Sequence, residues 1–195
     1  MHDHGIDPVS IDVGHLVRRN VASLYSSLVT RPTGQAVRMA IENLLAEELG
    51  EVSLSIIDLS EVTIIDFSCA DEVVAKLLLR YLEEERPKDA FFVFRGIKDL
   101  HRDPIEVVLE RQSLVAVAEG EDGAFHLVGA VSWAEEELWG TLEEKGVVAE
   151  EDLGGIEPSP EARAALESLV ERRVIFHNPS SKEYRALSSM VKDMT

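Results

Sequence analysis

Between Val52 and Val74 the chain changes its hydrophobic period, and no other stretch restricts the fold as much. Val52-Ser-Leu-Ser-Ile-Ile-Asp-Leu59 carries apolar residues on both faces of an extended chain, with β-branched Val and Ile recurring. A strand of that kind belongs in the middle of a parallel sheet, covered on both sides. After a polar break at Ser60-Glu61 an apolar pulse returns over Val62-Thr-Ile-Ile65 and stops at Asp66-Phe67-Ser68. From there Ala70, Val73, Val74, Leu77, Leu78, Tyr81 and Leu82 recur at helical spacing and predict an inward helical face. Ser68 stands just before the first predicted turn with Asp71 three residues on, close to a capping-box pattern. The sequence thus predicts one hydroxyl held at a helix N-terminus, at the end of a buried strand.

Asp58-Leu59-Ser60-Glu61-Val62 followed by Asp66-Phe67-Ser68-Cys69 resembles the signature of the STAS domain (sulfate transporter and anti-sigma-factor antagonist). The resemblance covers roughly residues 30 to 118, the size of one domain. It implies an α/β fold: a mixed, mainly parallel sheet with helices. It also implies regulation by partner switching, in which a kinase or anti-sigma-factor partner phosphorylates Ser68. Asp66, Phe67, Ser68, Cys69 and Asp71 would then form the partner-binding loop. The sequence departs from that pattern at Phe67, where a first serine is usual, and at Cys69, where a glycine is usual. A hairpin predicted over 113–129 also lies where the pattern ends in a helix.

The 195 residues suffice for one full core and a small second module. A hydrophobic share of 45% beside 29% charged residues describes an ordered globular chain. No apolar run approaches the ~20 residues of a membrane span, so no membrane contact is expected. Met-His-Asp-His-Gly has no secretory pattern, and a single Cys suits a reducing compartment; a cytoplasmic location is the expectation. The net charge of −18 divides into −11 over residues 1–130 and −7 over 131–195. A surface this acidic repels phosphate backbones and disfavours nucleic acid as a partner. Solubility explains it simply, and attraction to a basic protein is the sharper reading.

At the start of the chain, His2, Asp3 and His4 are neighbours on a terminus expected to be disordered, which does not enforce a metal geometry. Val9–Val13 alternates and predicts a short edge strand, and Val17, Val21, Leu24, Tyr25 and Leu28 predict a helix. Thr33 is the expected N-cap of another helix, with Val37, Ala40, Ile41, Leu44 and Leu45 inward and Gly50 as its stop. Arg31 and Thr33 at that helix start are candidate anion-binding residues, although capping explains them as well. Ala90–Arg95 reads as a buried strand and Asp103-Pro104 as a helix start. Residues 113–118 and 124–129 read as two strands of a hairpin.

A second module is expected over 132–195, leaving 1–131 as the STAS-like domain with an N-terminal extension. Ser132-Trp-Ala-Glu135 is a capping box for a helix whose apolar face is Trp133, Leu138, Trp139 and Leu142. Val147–Leu153 is read as a short second helix. Ser159-Pro160 starts a third, with Ala164, Leu166, Leu169 and Val170 inward. The hairpin Arg173–His177 with Glu183–Leu187 follows. Three helices and a hairpin resemble a winged helix-turn-helix domain. Arg172, Arg173, Lys182 and Arg185 are few against this acidic background, which favours protein contact or a homodimer over DNA.

The function expected is that of a non-enzymatic regulatory protein acting by protein–protein contact. A DNA-binding regulator using the winged helix is one alternative. A small enzyme using Cys69 is another, because a helix start can stabilise a thiolate. His101, His126 and His177 have no spacing that recommends any of them as its base, and a buried structural thiol explains Cys69 more simply. No metal-ligand spacing and no glycine-rich nucleotide fingerprint stands out, and no cofactor is predicted.

Overall fold

The computed structural model describes residues 7–12, 27–47, 52–155 and 159–192. The chain divides into two compact units, Met1–Ala130 and Val131–Thr195. The first is α/β. Its main sheet has the order β1-β3-β5-β6-β7, from β1 (Asp7–Asp12), β3 (Val52–Asp58), β5 (Asp89–Arg95), β6 (Val115–Glu119) and β7 (Phe125–Gly129). The first four run parallel, and β7 returns antiparallel to β6. The edge strand and the late hairpin of the sequence reading are thus both present. A separate two-stranded parallel ladder joins β2 (Ser27–Leu28) to β4 (Ile64–Ile65).

β3 has the two-sided burial its composition requires. Ser53, Ser55 and Ile57 on one face, and Leu54 and Ile56 on the other, are all 3% exposed or less. The face bearing Ile57, Phe92 and Phe94 packs in one core with helices α1 (Arg31–Glu47), α2 (residues 67–82) and α3 (Asp99–Arg111). Helix α2 is continuous from Phe67 to Leu82 and lies between α1 and α3. Its first turn, Phe67–Ala70, and its end, Leu77–Leu82, are α-helical, while Asp71–Lys76 between them is π-helical. Tyr81 of α2 meets Phe92 of β5 edge to face, with ring centroids 5.3 Å apart. Such a pair adds about 0.5–1.5 kcal/mol beyond area burial.

Several expectations need correction. Residues 13–26, which hold most of the first predicted helix, lie outside the described residues, as do His2, Asp3, His4 and Gly50. Leu28, assigned to that helix, is in β2. Helix α1 begins at Arg31, not after Thr33. Thr30 precedes it, and the Thr30 hydroxyl accepts the Thr33 amide at 3.4 Å and meets the Thr33 hydroxyl at 2.8 Å. Leu44 is exposed. Helix α3 starts at Asp99, four residues before Asp103, so Pro104 lies inside it. The His101 side chain explains the earlier start, since its Nδ1 accepts the Lys98 amide at 3.2 Å and satisfies a group the helix leaves free.

The second unit contains α4 (Trp133–Lys145), β8 (Val147–Ala149), a 3-10 turn (Glu150–Gly155) and α5 (Pro160–Glu171). Then come β9 (Ile175–Asn178), β10 (Glu183–Ala186) and α6 (Leu187–Lys192). Its antiparallel sheet has the order β8-β10-β9. The capping box of α4 is formed: the Ser132 hydroxyl accepts the Glu135 amide at 3.3 Å and Glu135 accepts the Ser132 amide at 2.7 Å. Three details differ from the sequence reading. The predicted second helix is a strand and a 3-10 turn, because Val147 and Val148 pair with β10 instead of coiling. Trp133, at the first position of α4, is 76% exposed. On α5, Ala165 is buried and Ala164 exposed, while Leu166 and Leu169 are buried as expected.

Candidate functional site

The loop between β3 and α2 is built from backbone bonds that carboxylates complete. Asp58 Oδ1 accepts the Ser60 amide at 2.9 Å and turns the chain out of β3. Gly96, after β5, comes so close that a Cβ there would stand 2.6 Å from the Ser60 nitrogen, and its φ of +71° also favours glycine. The chain then runs through β4, and the Asp66 amide donates to the Leu28 carbonyl at 2.8 Å.

Asp66, not Ser68, caps α2. Its backbone is extended, and its Oδ1 accepts the Cys69 amide at 2.8 Å. Ser68 sits inside the first turn and donates its hydroxyl to the same oxygen at 2.8 Å. A short carboxylate three residues before a free amide fills the N-cap role, so the helix starts two residues earlier than a Ser68 cap would place it. Burial alone would push the Asp66 carboxyl up. The bonds from Cys69 and Ser68 outweigh it and hold the group below the ordinary aspartate range.

Cys69 is shut away. It is fully buried, and its thiol donates to the Thr30 carbonyl at 2.9 Å. Burial first, and then the Asp66 charge, push the thiol up to about 12. The buried thiol favoured by the sequence is what the structure holds, and the alternative of a thiolate at the helix start loses support because desolvation beside a carboxylate outweighs the helix dipole. Helix α1 approaches this turn so closely that a Cβ on Gly34 would lie 2.9 Å from the Cys69 Cα.

Asp71 does not complete a capping box. It receives the Arg31 guanidinium at 2.8 Å and the Gln112 amide at 3.3 Å. Its neighbour Glu72, only 2% exposed, accepts Arg31 at 2.8 Å, Arg38 at 3.2 Å and the Lys76 ammonium. Burial raises both carboxyls, but these cations bring each below its usual range. The π-helical turn explains how one guanidinium reaches two successive residues. A wider turn reduces the rotation between neighbours, so Asp71 and Glu72 both face α1. Arg31 and Arg38, two turns apart on one face of α1, supply the matching cations.

The candidate anion-binding pair therefore has another use. Arg31 is engaged by two carboxylates, which raise its pKa further, and Thr33 bonds Thr30. Glu72, Arg38 and Lys76 were not singled out in the sequence. The Glu72–Lys76 spacing of four was visible there, whereas the bonds to α1 span 34 and 41 residues. Around the loop, apolar side chains face solvent: Phe67 is 52% exposed, Val29 50% and Ile64 45%. Leu100, 70% exposed, belongs to the same edge, since the adjacent Lys98 and His101 bond the carbonyls of Val62 and Thr63 at 3.0 and 3.4 Å.

In the second unit, two of the four candidate phosphate-binding residues face carboxylates. Arg172 bonds Glu135, and Arg185 lies 3.3 Å from Glu183. Glu135 also accepts the Ser168 hydroxyl at 2.7 Å. Burial pushes its carboxyl up, yet the Ser132 amide, the two serine hydroxyls and the Arg172 charge bring it down to about 2. His177 stacks on Tyr184 with centroids 4.3 Å apart, as cross-strand partners.

Among the described residues no group of three His, Cys, Asp or Glu side chains is arranged to hold a metal ion. No helix among them is long and apolar enough to cross a membrane. Comparison with family models, with curated proteins and with solved structures finds no match to this chain.

Proposed function

We propose that this chain is a STAS-like regulatory protein that works by protein–protein contact through the Asp66–Asp71 loop, with Ser68 as its phosphorylation switch. The observation that carries the reading is the division of labour in one helical turn. Phe67 is half exposed at the sheet edge, whereas the nucleophile beside it, Cys69, is buried and strongly held in its protonated form. An apolar projection next to a partly accessible hydroxyl suits docking better than chemistry. The partner is of the anti-sigma-factor or kinase type, and docking takes place on the unmodified loop. A phosphate on Ser68 would stand beside the Asp66 carboxylate, whose Oδ1 is now 2.8 Å from the serine oxygen. Like-charge repulsion then opens the loop and ends docking. Arg31, already shared by Asp71 and Glu72, offers little compensation.

The second unit supports a companion role in protein contact. Its final hairpin and its strand order β8-β10-β9 support the winged-helix reading, with a 3-10 turn standing where the second helix was expected. Its surface argues against DNA, because Glu161, Glu167 and Glu171 are exposed on α5 and Arg172 is turned to Glu135.

Intact mass of the protein recovered from its own cells, with peptide mapping across residues 66–72, tests the switch. Phosphate on Ser68 is the expected result. A photo-crosslinker placed at Phe67 should capture a partner from those cells with Ser68→Ala and lose it with Ser68→Asp. Equal capture by the two variants would sink the reading.

A further inference from the structure

A groove in the second unit lies outside the proposed switch. It runs between the 3-10 turn, one flank of α5 and Tyr184 of β10, has a volume of about 550 Å3, and is floored by Leu153 and Leu166 of the core. Leu153, Leu166, Val170 and Tyr184 give it an apolar lining. Glu150, Glu167 and Glu171 stand around them, with Arg163 as the one cation of the lining. All three glutamates are exposed, and Glu151 and Asp152 continue the negative charge along the turn.

The occupant has to satisfy both halves of that surface. A purely basic tail would leave the apolar lining wet, and an apolar acidic segment would meet three carboxylates. Nucleic acid would be repelled, since its binding depends on cations displacing counterions. Glu167 and Glu171 are about one helical turn apart, a rise of about 6 Å along α5. Lysines spaced four residues apart on another helix have the same repeat, and leucines on its adjacent face would reach inward. The volume lies within the ~300–1,000 Å3 of ordinary ligand pockets. We infer that this groove is the docking site for a basic amphipathic helix of a partner protein. Leucine-type side chains occupy the lining, and Lys or Arg side chains meet Glu167 and Glu171.

The full chain can be titrated with a synthetic helix of about five turns, ~18 residues, built of Leu and Lys in amphipathic register. A scrambled peptide of the same composition, a Leu/Glu counterpart and a random-sequence DNA duplex serve as comparisons. The amphipathic Leu/Lys peptide should bind at micromolar concentration, and the scrambled one roughly tenfold more weakly, or about 1.4 kcal/mol. E167K/E171K should lower affinity at least about tenfold. E84K/E85K, an equal charge change at exposed positions of the first unit, should alter it less than about twofold. Tryptophan fluorescence shows that the second unit of E167K/E171K remains folded, and protection of the buried Cys69 from thiol labelling shows the same for the first unit of E84K/E85K. Equal weakening by the two double variants, or equal binding of the scrambled peptide, would reduce the effect to bulk attraction by a chain of charge −18 and overturn the proposal. So would absence of peptide binding, or tighter binding of DNA.

Discussion

Glu72 in the first unit and Glu135 in the second are both carboxylates almost withdrawn from water, at 2% and 9% exposure. They are held by opposite means. Glu135 takes half its support from its own helix start, through the Ser132 amide and hydroxyl, and the rest from Ser168 and Arg172. Glu72 has one local partner, Lys76, and otherwise depends on Arg31 and Arg38 of another helix. A locally capped carboxylate is secured as its helix forms. One held by distant cations is secured only once two helices have docked, and its loss separates them. Hence the two acids should respond differently to the same substitution.

The two units can be followed separately. The single Cys lies buried in the first, and both tryptophans, Trp133 and Trp139, lie in the second. The largest effect is expected for Glu72→Ala, which leaves Arg38 and Lys76 without their buried partner. Breaking a buried pair costs about 3–5 kcal/mol. Arg31 is 51% exposed and Lys76 40%, so both regain water. A loss near the low end, ~3 kcal/mol, is therefore expected. Thiol labelling of Cys69 in urea should move to lower denaturant, while the tryptophan transition stays in place. A shift in both transitions would mean that the seam between α1 and α2 is not separately stabilised.

Glu135→Ala should do the reverse, with a cost of about 2 kcal/mol for the lost cap and the unpaired Arg172. This acid also sets a pH window. Its folded pKa lies below the ordinary value of 4.5, so its ionised form contributes stability above 4.5 that is lost as pH falls toward about 2. The tryptophan transition of the wild-type chain should weaken across that window, and that of Glu135→Gln should respond less. Identical acid profiles would remove Glu135 from the account.

Gly34→Ala is expected to cost ~1–2 kcal/mol, because the new methyl meets the Cys69 backbone and not a flexible chain end. Faster thiol labelling with an unchanged tryptophan signal would locate the strain at the loop carrying Ser68. Trp133→Ala marks the lower limit. At 76% exposure it should change stability by less than about 0.5 kcal/mol, measured by the shift of the urea midpoint.

Much of this was legible in the chain. The two-sided run Val52–Leu59, the strand Ala90–Arg95, the late hairpin and the Ser132–Glu135 box are local patterns, and each forms where its period or spacing places it. Helix starts were harder to read. Thr33, Ser68 and Asp103 are each good caps by type, but Thr30, Asp66 and the Lys98–His101 pair start the helices earlier. Several residues near one helix end can satisfy the same free amides, and type alone does not rank them.

The sequence by itself determined the alternation of strands and helices, the acidic surface and the place of the loop after β3, because period and composition act over a few residues. Only the tertiary structure decided that burial and the Asp66 charge push the Cys69 thiol up to about 12, that Arg31 serves Asp71 and Glu72, and that Phe67 is left outside. Those outcomes depend on which distant groups share a buried site. Desolvation and ion pairing act through distances in space, and between Arg31 and Glu72 that distance is 2.8 Å across a separation of 41 residues.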